Sequence, residues 1–480
     1  MLKVASIFAK NMILQRDVPF SIFGSNEPNK KVTVEIDREI YETVTDSDGI
    51  WRVECASHEA SSQSMIQIYD KDTKIELENI AFGDVYLAAG QSNMEFMLQN
   101  EDHFNQARKK AKHLDIRSLR VPQIEYIGDG KDPSLRWEIL DETNMDEVSA
   151  VAYYALEEIS HYTNVPIGVV GCYKGGTSAS CWIDEITLKN DPFLKERFID
   201  PYWDGIMEQT EKEEDQKRLA YQRLLVQYQQ KVEQYQKEFP QRSMSQLKHD
   251  LGHTPWPQPK GKKDFGRPGG LHDLMFERIK NLKYKAVWWY QGEEDAKNAW
   301  AYDHLLATLI ESWRHELHQD VPFFLIQLPA YIEETYPETW PMIRQAQMNQ
   351  TLTHEDVRII CTLDQGDAYN IHPTDKKEIG KRLGQMVSQT FYAPDLCIVY
   401  PKLRMWKESE KGIELLFEGI DEGDIVLDLD GTQQVFSIHS GMTTVKSLAH
   451  TISYAWENNP SHIVFNALNL PMFPFKIELE

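Results

Sequence analysis

The sequence predicts a mixed α/β protein: a parallel sheet covered by helices on both sides, with a small β domain before it and another after it. Three observations carry that expectation. Between about residues 81 and 395, apolar runs of strand length alternate with helical patterns. Before residue 80 and after residue 396, short β-rich runs alternate with turn signals. At 480 residues the chain is also too long for one ordinary core, so two or three domains are expected.

The elements follow in order. In residues 1–80, Val18 to Phe23, Val32 to Ile36 and the alternating Met65 to Tyr69 read as strands, separated by turns such as Gly24-Ser25-Asn26 and Asp46-Ser47-Asp48-Gly49. No helical period appears there, and a small β-sandwich is expected. From 81 to 395, Val85 to Ala89, Ile167 to Cys172, Ala286 to Tyr290, Phe323 to Leu328 and Val357 to Leu363 are apolar on both faces, as strands of a covered parallel sheet are. Helical stripes lie between them, with Leu305, Leu306, Leu309, Ile310, Trp313 and Leu317 in one and Ile379, Leu383, Met386, Val387 and Phe391 in another.

A helical insertion at about 186–266 interrupts the alternation. Its Glu211 to Phe239 stretch carries Tyr221, Leu225, Tyr228, Val232, Tyr235 and Phe239 at steps of four and three, a coiled-coil-like seam. A helix packed on its own domain is the first reading and a homodimerisation arm the alternative. His253 to Pro268 reads as a loop. From 396 to 480 the pattern returns to β, with runs at Ile413 to Phe417, Ile425 to Leu429, Val435 to Ile438 and Ile452 to Trp456.

Composition narrows the function classes. The formal charge of −24 argues against a nucleic-acid or anionic-membrane partner. No run reaches the roughly 20 apolar residues of a membrane span. The start of the chain lacks the apolar core of a secretory signal. The five widely spaced cysteines contain no Cys-x-x-Cys and read as reduced, mostly buried thiols, so a cytoplasmic protein is expected.

The chemistry centres on Gln91-Ser92-Asn93-Met94, which follows the apolar run Val85 to Gly90. A strand ending in Gly and delivering a Ser at the start of a helix is how an α/β enzyme presents a nucleophile. A neutral hydroxyl needs a base. Among 15 His, His372 stands out: it follows a turn at the end of a buried strand and precedes Pro373 and a helix. Such loops are where α/β folds place their sites. An oxyanion hole needs preset donors. Gly175-Gly176-Thr177 and the side-chain amide of Gln291 each follow one of the predicted parallel strands.

These blocks resemble the sialate O-acetylesterase family of SGNH-type esterases. Asp84 to Glu95 is similar to its first block, and Gly175-Gly176-Thr177 with Cys181-Trp182 to its second. Trp289-Tyr290-Gln291-Gly292-Glu293 matches the third, and Ile371-His372-Pro373 with Lys376 and Gly380 the last. Asn11 to Arg16, Asp48 to Trp51, Trp340 to Gln347 and Leu470 to Phe475 fit as well. The resemblance implies an SGNH-hydrolase-like three-layer α/β/α domain and metal-free, cofactor-free hydrolysis of acetyl esters on sugars, typically O-acetylated sialic acid. Ser92 would be the nucleophile and His372 the general base. The Ser92 amide, a Gly175 or Gly176 amide and Gln291 would hold the oxyanion.

Two positions depart from the pattern. An Asp usually stands two or three residues before the His, where this chain has Asn370 and Tyr369. Asp367, with Asp364 behind it, is the candidate third member; the alternative is a Ser–His dyad. Asp295 stands where many relatives have Asn, and is expected to face away from the oxyanion and brace a loop. Glu293 reads as structural. Trp182, Trp288, Trp289 and Trp340 are candidates for stacking on sugars, and Arg344 for pairing with a sialic acid carboxylate. Acetylated xylan or pectin fragments are the alternative substrates, and an inactive carbohydrate-binding relative is the alternative class. A metallohydrolase is disfavoured, since no His-Glu-x-x-His occurs.

Overall fold

The computed structural model describes residues 1–111, 115–124, 134–252, 254–446 and 449–479. The fold is mixed α/β, and the chain divides into two units. The first holds residues 1–207, 260–289 and 308–323; the second holds 208–259, 290–307 and 324–480.

In the first unit, one 17-residue strand, Lys74–Gly90, organises both sheets it touches. Its first half alternates in burial and pairs antiparallel with Ser61–Tyr69. From Ile80 onward every residue is buried, and Asp84 to Gly90 pair in parallel with Ile167–Tyr173. The change is legible in the residues: Lys-Ile-Glu-Leu-Glu suits a sheet with one wet face, and Val-Tyr-Leu-Ala-Ala a sheet covered on both. The expected domain border near residue 80 thus falls inside a continuous strand.

Around it the strand order is Trp137–Ile139, Ile116–Arg120, Ile167–Tyr173, Lys74–Gly90 and Ala286–Tyr290. Ile116–Arg120, with two Arg among five residues, lacks the unbroken apolar run of its neighbours in the sheet. Arg117 is in fact buried, with its guanidinium on the carbonyls of Asn11, Met12, Ser62 (3.2, 3.2 and 3.1 Å) and Asn79. The N-terminal three-stranded sheet, Lys3–Val4, Phe20–Ser25 and Ile50–Cys55, sends Phe20 against Phe82. The Gln15-Arg16 pair has a structural reason too. Buried Asp84 accepts from Gln15 Nε2 and Arg16 Nε, each at 3.1 Å, while Gln15 Oε1 receives the Val85 N–H.

A buried ionic cluster joins helix Gly270–Leu274 to helix Tyr302–Leu317 at Glu316. The His272 ring nitrogens lie 3.1 Å from Asp273 and 2.9 Å from Glu316. Burial alone would lower the His272 pKa, but the hydrogen bonds to Asp273 and Glu316 outweigh it and lift it to about 9. His272, Glu277 and Glu316 are near enough to hold a metal ion, yet Lys280 Nζ already bonds both carboxylates, at 2.5 and 3.1 Å. A folded-state pKa above the unfolded value near 6.5 means that this stabilisation is complete below pH 6.5 and is lost as pH rises through about 9. Urea midpoints measured from pH 6 to 10 should therefore fall more steeply in the wild type than in His272→Gln. Parallel pH profiles would assign the titration elsewhere.

In the second unit, helix Glu211–Glu238 starts at a Thr210/Glu213 capping box and helix Met244–Leu251 at a Ser243/Gln246 one. They pack through Val232, Tyr235 and Leu247, with Tyr228, Met244 and Leu251 around them. Tyr221 and Tyr228 donate to the carbonyls of Pro255 and Gly252. Much of the predicted seam is therefore covered from within the insertion. Of the expected loop, His253 lies outside the described residues and 254–268 forms neither helix nor strand. Strands Phe323–Ile326 and Val357–Ile360 are neighbours, accompanied by helices Thr339–Thr353 and Lys377–Phe391. The chain ends in a seven-stranded sheet built from Lys402–Ser409 to Phe475–Glu478, over a core that includes Leu415, Ile425, Leu427, Ile438 and Ile452.

Candidate active site

Ser92, Gly175, Gly176 and Trp182 belong to the first unit; Gln291, Asp367, His372 and Arg344 belong to the second. In the first unit, the buried strand ends at Gly90, whose φ of 130° lies in the region that favours glycine. Gln91 is extended, its carbonyl accepts the Met94 and Glu95 N–H groups, and Ser92 becomes the first residue of the short helix Ser92–Glu95. Asn93 and Met94 turn inward, while Ser92 stays half-buried. The neighbouring strand Ile167–Tyr173 delivers Gly175 to the same place. A side-chain carbon at Gly175 would sit 3.2 Å from Ser92 Cβ and 3.3 Å from Glu95 Oε2, closer than ordinary contact. The absence of a side chain lets this loop lie close against the serine; any larger residue would need its neighbours to shift by a few tenths of an ångström.

The loop is fastened by a residue the sequence reading passed over. Glu95 Oε2 accepts the Gly175 N–H at 2.6 Å, and Oε1 accepts from Gln123 Nε2 at 2.7 Å. The Gly175 amide is therefore committed to a carboxylate, which corrects its assignment to the oxyanion hole and leaves Gly176 as the glycine candidate. Glu95 closes the first sequence block, so its position was visible; its partner was not. Thr177 Oγ1 donates to the Lys174 carbonyl and receives the indole N–H of Trp182.

Trp182 is fully buried, edge-on to Trp289 and Trp313. Trp288 is stacked on Tyr86, and Trp340 donates to the Pro329 carbonyl. All four tryptophans considered for sugar stacking are 0–1% exposed. They are core, which corrects that expectation, including the substrate-binding role of Trp182.

In the second unit, the Gln291 side chain is fully buried and held at both ends. Its Nε2 donates to Asp295 Oδ2 at 2.7 Å, and its Oε1 accepts from the Tyr302 hydroxyl at 2.9 Å. A carboxylate only accepts here and the hydroxyl donates, so the pair fixes which way the amide faces. Asp295, expected to face away from the oxyanion and brace a loop, here holds the Gln291 side-chain amide. It is the group that orients the amide. Gln347 Nε2 also donates to the Gln291 carbonyl at 3.0 Å, which gives the Trp340 to Gln347 block a reason. Tyr302 carried no sequence signal beyond opening an amphipathic helix.

His372 is half-buried, and Asn370 brackets its backbone. Asn370 Oδ1 accepts the His372 N–H at 3.2 Å and Nδ2 donates to the His372 carbonyl at 2.7 Å. The Asn in place of the usual Asp therefore shapes the main chain. Asp367 Oδ1 accepts from the N–H groups of Tyr369 and Asn370, at 2.9 and 3.0 Å, and holds the turn leading to the histidine. Asp364 is engaged elsewhere, in a two-pronged pair with buried Arg382 at 2.6 and 2.7 Å.

Arg344 does not have a binding surface. It is fully buried and donates to the carbonyls of Leu328, Pro329, Glu457 and Asn458 at 2.8–2.9 Å. Burial pulls its pKa below the ordinary guanidinium value. It clamps main chain, and its pairing with a substrate carboxylate is corrected accordingly. Among the described residues no helix is long and apolar enough to cross a membrane.

The comparisons with known proteins point to one family. A family model described as carbohydrate esterase, sialic acid-specific acetylesterase, matches residues 82–257 and 261–393. Sialate O-acetylesterase of Mus musculus is 24% identical over 342 residues, covering 64% of this chain and 56% of that protein. The Homo sapiens protein of the same name is 23% identical over 421 residues, covering 79% of this chain and 69% of its own. The chain therefore spans little more than half the length of the mouse relative. A solved structure of a carbohydrate acetylesterase from Xanthomonas citri superposes with a TM-score of 0.74 at 21% identity, covering 100% of both chains. That likeness is one of fold. With the family model spanning more than half of its residues, this chain belongs to the carbohydrate esterase family of sialic acid-specific acetylesterases.

Proposed function

We propose that this protein is a serine esterase that removes O-acetyl groups from sugars, with O-acetylated sialic acid as the first substrate. The observation that carries the reading is Ser92: half-buried at the end of a buried strand, with the Gly175 loop laid against it. Ser92 Oγ attacks the acetyl carbonyl carbon while His372 takes its proton. The Ser92 and Gly176 amides and the fixed Gln291 amide stabilise the oxyanion. Collapse breaks the bond to the sugar oxygen, which leaves with the proton from His372. Water then attacks the acetyl-enzyme, His372 accepts its proton, and acetate departs as Ser92 recovers its hydrogen.

Asp367 is the third member of this machinery. Asp367→Asn keeps an acceptor oxygen for Tyr369 and Asn370 while removing the charge and turning the second oxygen into an amide donor. Acetate release from 4-nitrophenyl acetate and from 9-O-acetylated sialic acid is expected in the wild type. Asp367→Asn should cost on the order of ten- to a thousandfold, within what loss of a His-orienting carboxylate can cost. An unchanged rate would make the site a Ser–His dyad. Activity on the aryl ester alone would keep the mechanism and move the substrate to acetylated xylan or pectin fragments.

A further inference from the structure

The buried tryptophans leave open what holds the sugar. Two exposed aromatic rings of the second unit meet the need, and the helical insertion positions both. Trp256 is 45% exposed, yet its indole N–H is anchored on Glu294 Oε2 at 2.8 Å, three residues beyond Gln291. Tyr369 is 52% exposed and stands three residues before His372. The ring of His249, on helix Met244–Leu251, meets it at 75° and 5.3 Å. Gly252 and Pro255, which stand between His249 and Trp256 in the sequence, accept hydrogen bonds on their carbonyls from Tyr228 and Tyr221 of the long helix. The insertion therefore reaches the Gln291 loop at one end and the His372 loop at the other.

We infer that Trp256 and Tyr369 form a carbohydrate-stacking platform, and that the insertion serves to hold it beside the two loops. This rests on the esterase reading for what lies next to the platform. The weakly positive C–H face of a pyranose suits the negative face of an aromatic ring. A polar contact at the rim fixes the indole without covering its face. The substrate is then an acetyl ester carried by a glycan, recognised through its ring and not only through its acetyl group.

The test compares wild type, Trp256→Ala and Tyr369→Ala on O-acetylated sialyllactose and on 4-nitrophenyl acetate, which has no sugar. The ratio of kcat/KM for the sugar ester to that for the aryl ester should fall about tenfold in each variant, in line with the loss of one aromatic stacking partner. An unchanged ratio in both would overturn the platform. If the wild type hydrolyses neither ester, calorimetric titration with sialyllactose and xylotetraose decides. Binding weakened by either substitution keeps the platform and rejects the esterase. Binding that is absent, or equal in all three proteins, overturns the platform.

Discussion

Replacing Ser92 with Ala is expected to leave the fold intact and to lower kcat for acetate release by about 10⁴- to 10⁶-fold, the scale of losing a serine nucleophile. The fold should persist because the change removes one hydroxyl from a half-buried position at the start of a four-residue helix. The Cβ that meets the Gly175 loop stays in place. Near-UV circular dichroism would report the packing of Trp182, Trp289 and Trp313, which lie in the same unit as Ser92. Acetate release retained with native packing would remove Ser92 from the chemistry.

Gln291→Ala should lower kcat by about 10²- to 10³-fold with a smaller change in KM, the signature of a donor felt mainly in the transition state. The geometry gives the reason. In the oxyanion role proposed for Gln291, an amide free to rotate would present its oxygen to the developing negative charge half of the time. Tyr302 and Asp295 forbid that orientation. Removing Gln291 also deprives Asp295 and the Tyr302 hydroxyl of a buried partner, so a thermal melt must accompany the kinetics. Loss of KM alone would assign Gln291 to substrate binding.

Much of this was legible in the residues. The five apolar runs beginning at Val85, Ile167, Ala286, Phe323 and Val357 all start in strands, though the last two overrun them, the strands ending at Ile326 and Ile360; continuous hydrophobicity over strand length has few other uses in a chain of this kind. The Gly90-Gln91-Ser92 step was equally visible, since glycine before a serine at a strand end marks a turn. What periodicity could not convey was burial of polar groups. Arg344 and Trp182 lie within the matching blocks, and proximity in sequence suggested contact with substrate; their hydrogen bonds turn both inward.

Partner choice was hidden for the same reason. Nothing in the order of residues says that Glu95 takes the Gly175 amide, or that Asp295 orients Gln291. The exposed aromatics were missed in the opposite sense. Trp256 sits in a Pro- and Lys-rich stretch that reads as a loop, and Tyr369 in a turn. Neither falls in a pattern that marks a side chain as held and yet open to solvent.

The central claim is a covalent acetyl group on Ser92. Rapid mixing with 4-nitrophenyl acetate, an acid quench and peptide mass spectrometry would test it most directly. The account predicts a transient acetyl increment on the peptide carrying Ser92, absent from Ser92→Ala. An increment on any other residue, or turnover with no acetylated peptide at any time, would contradict it.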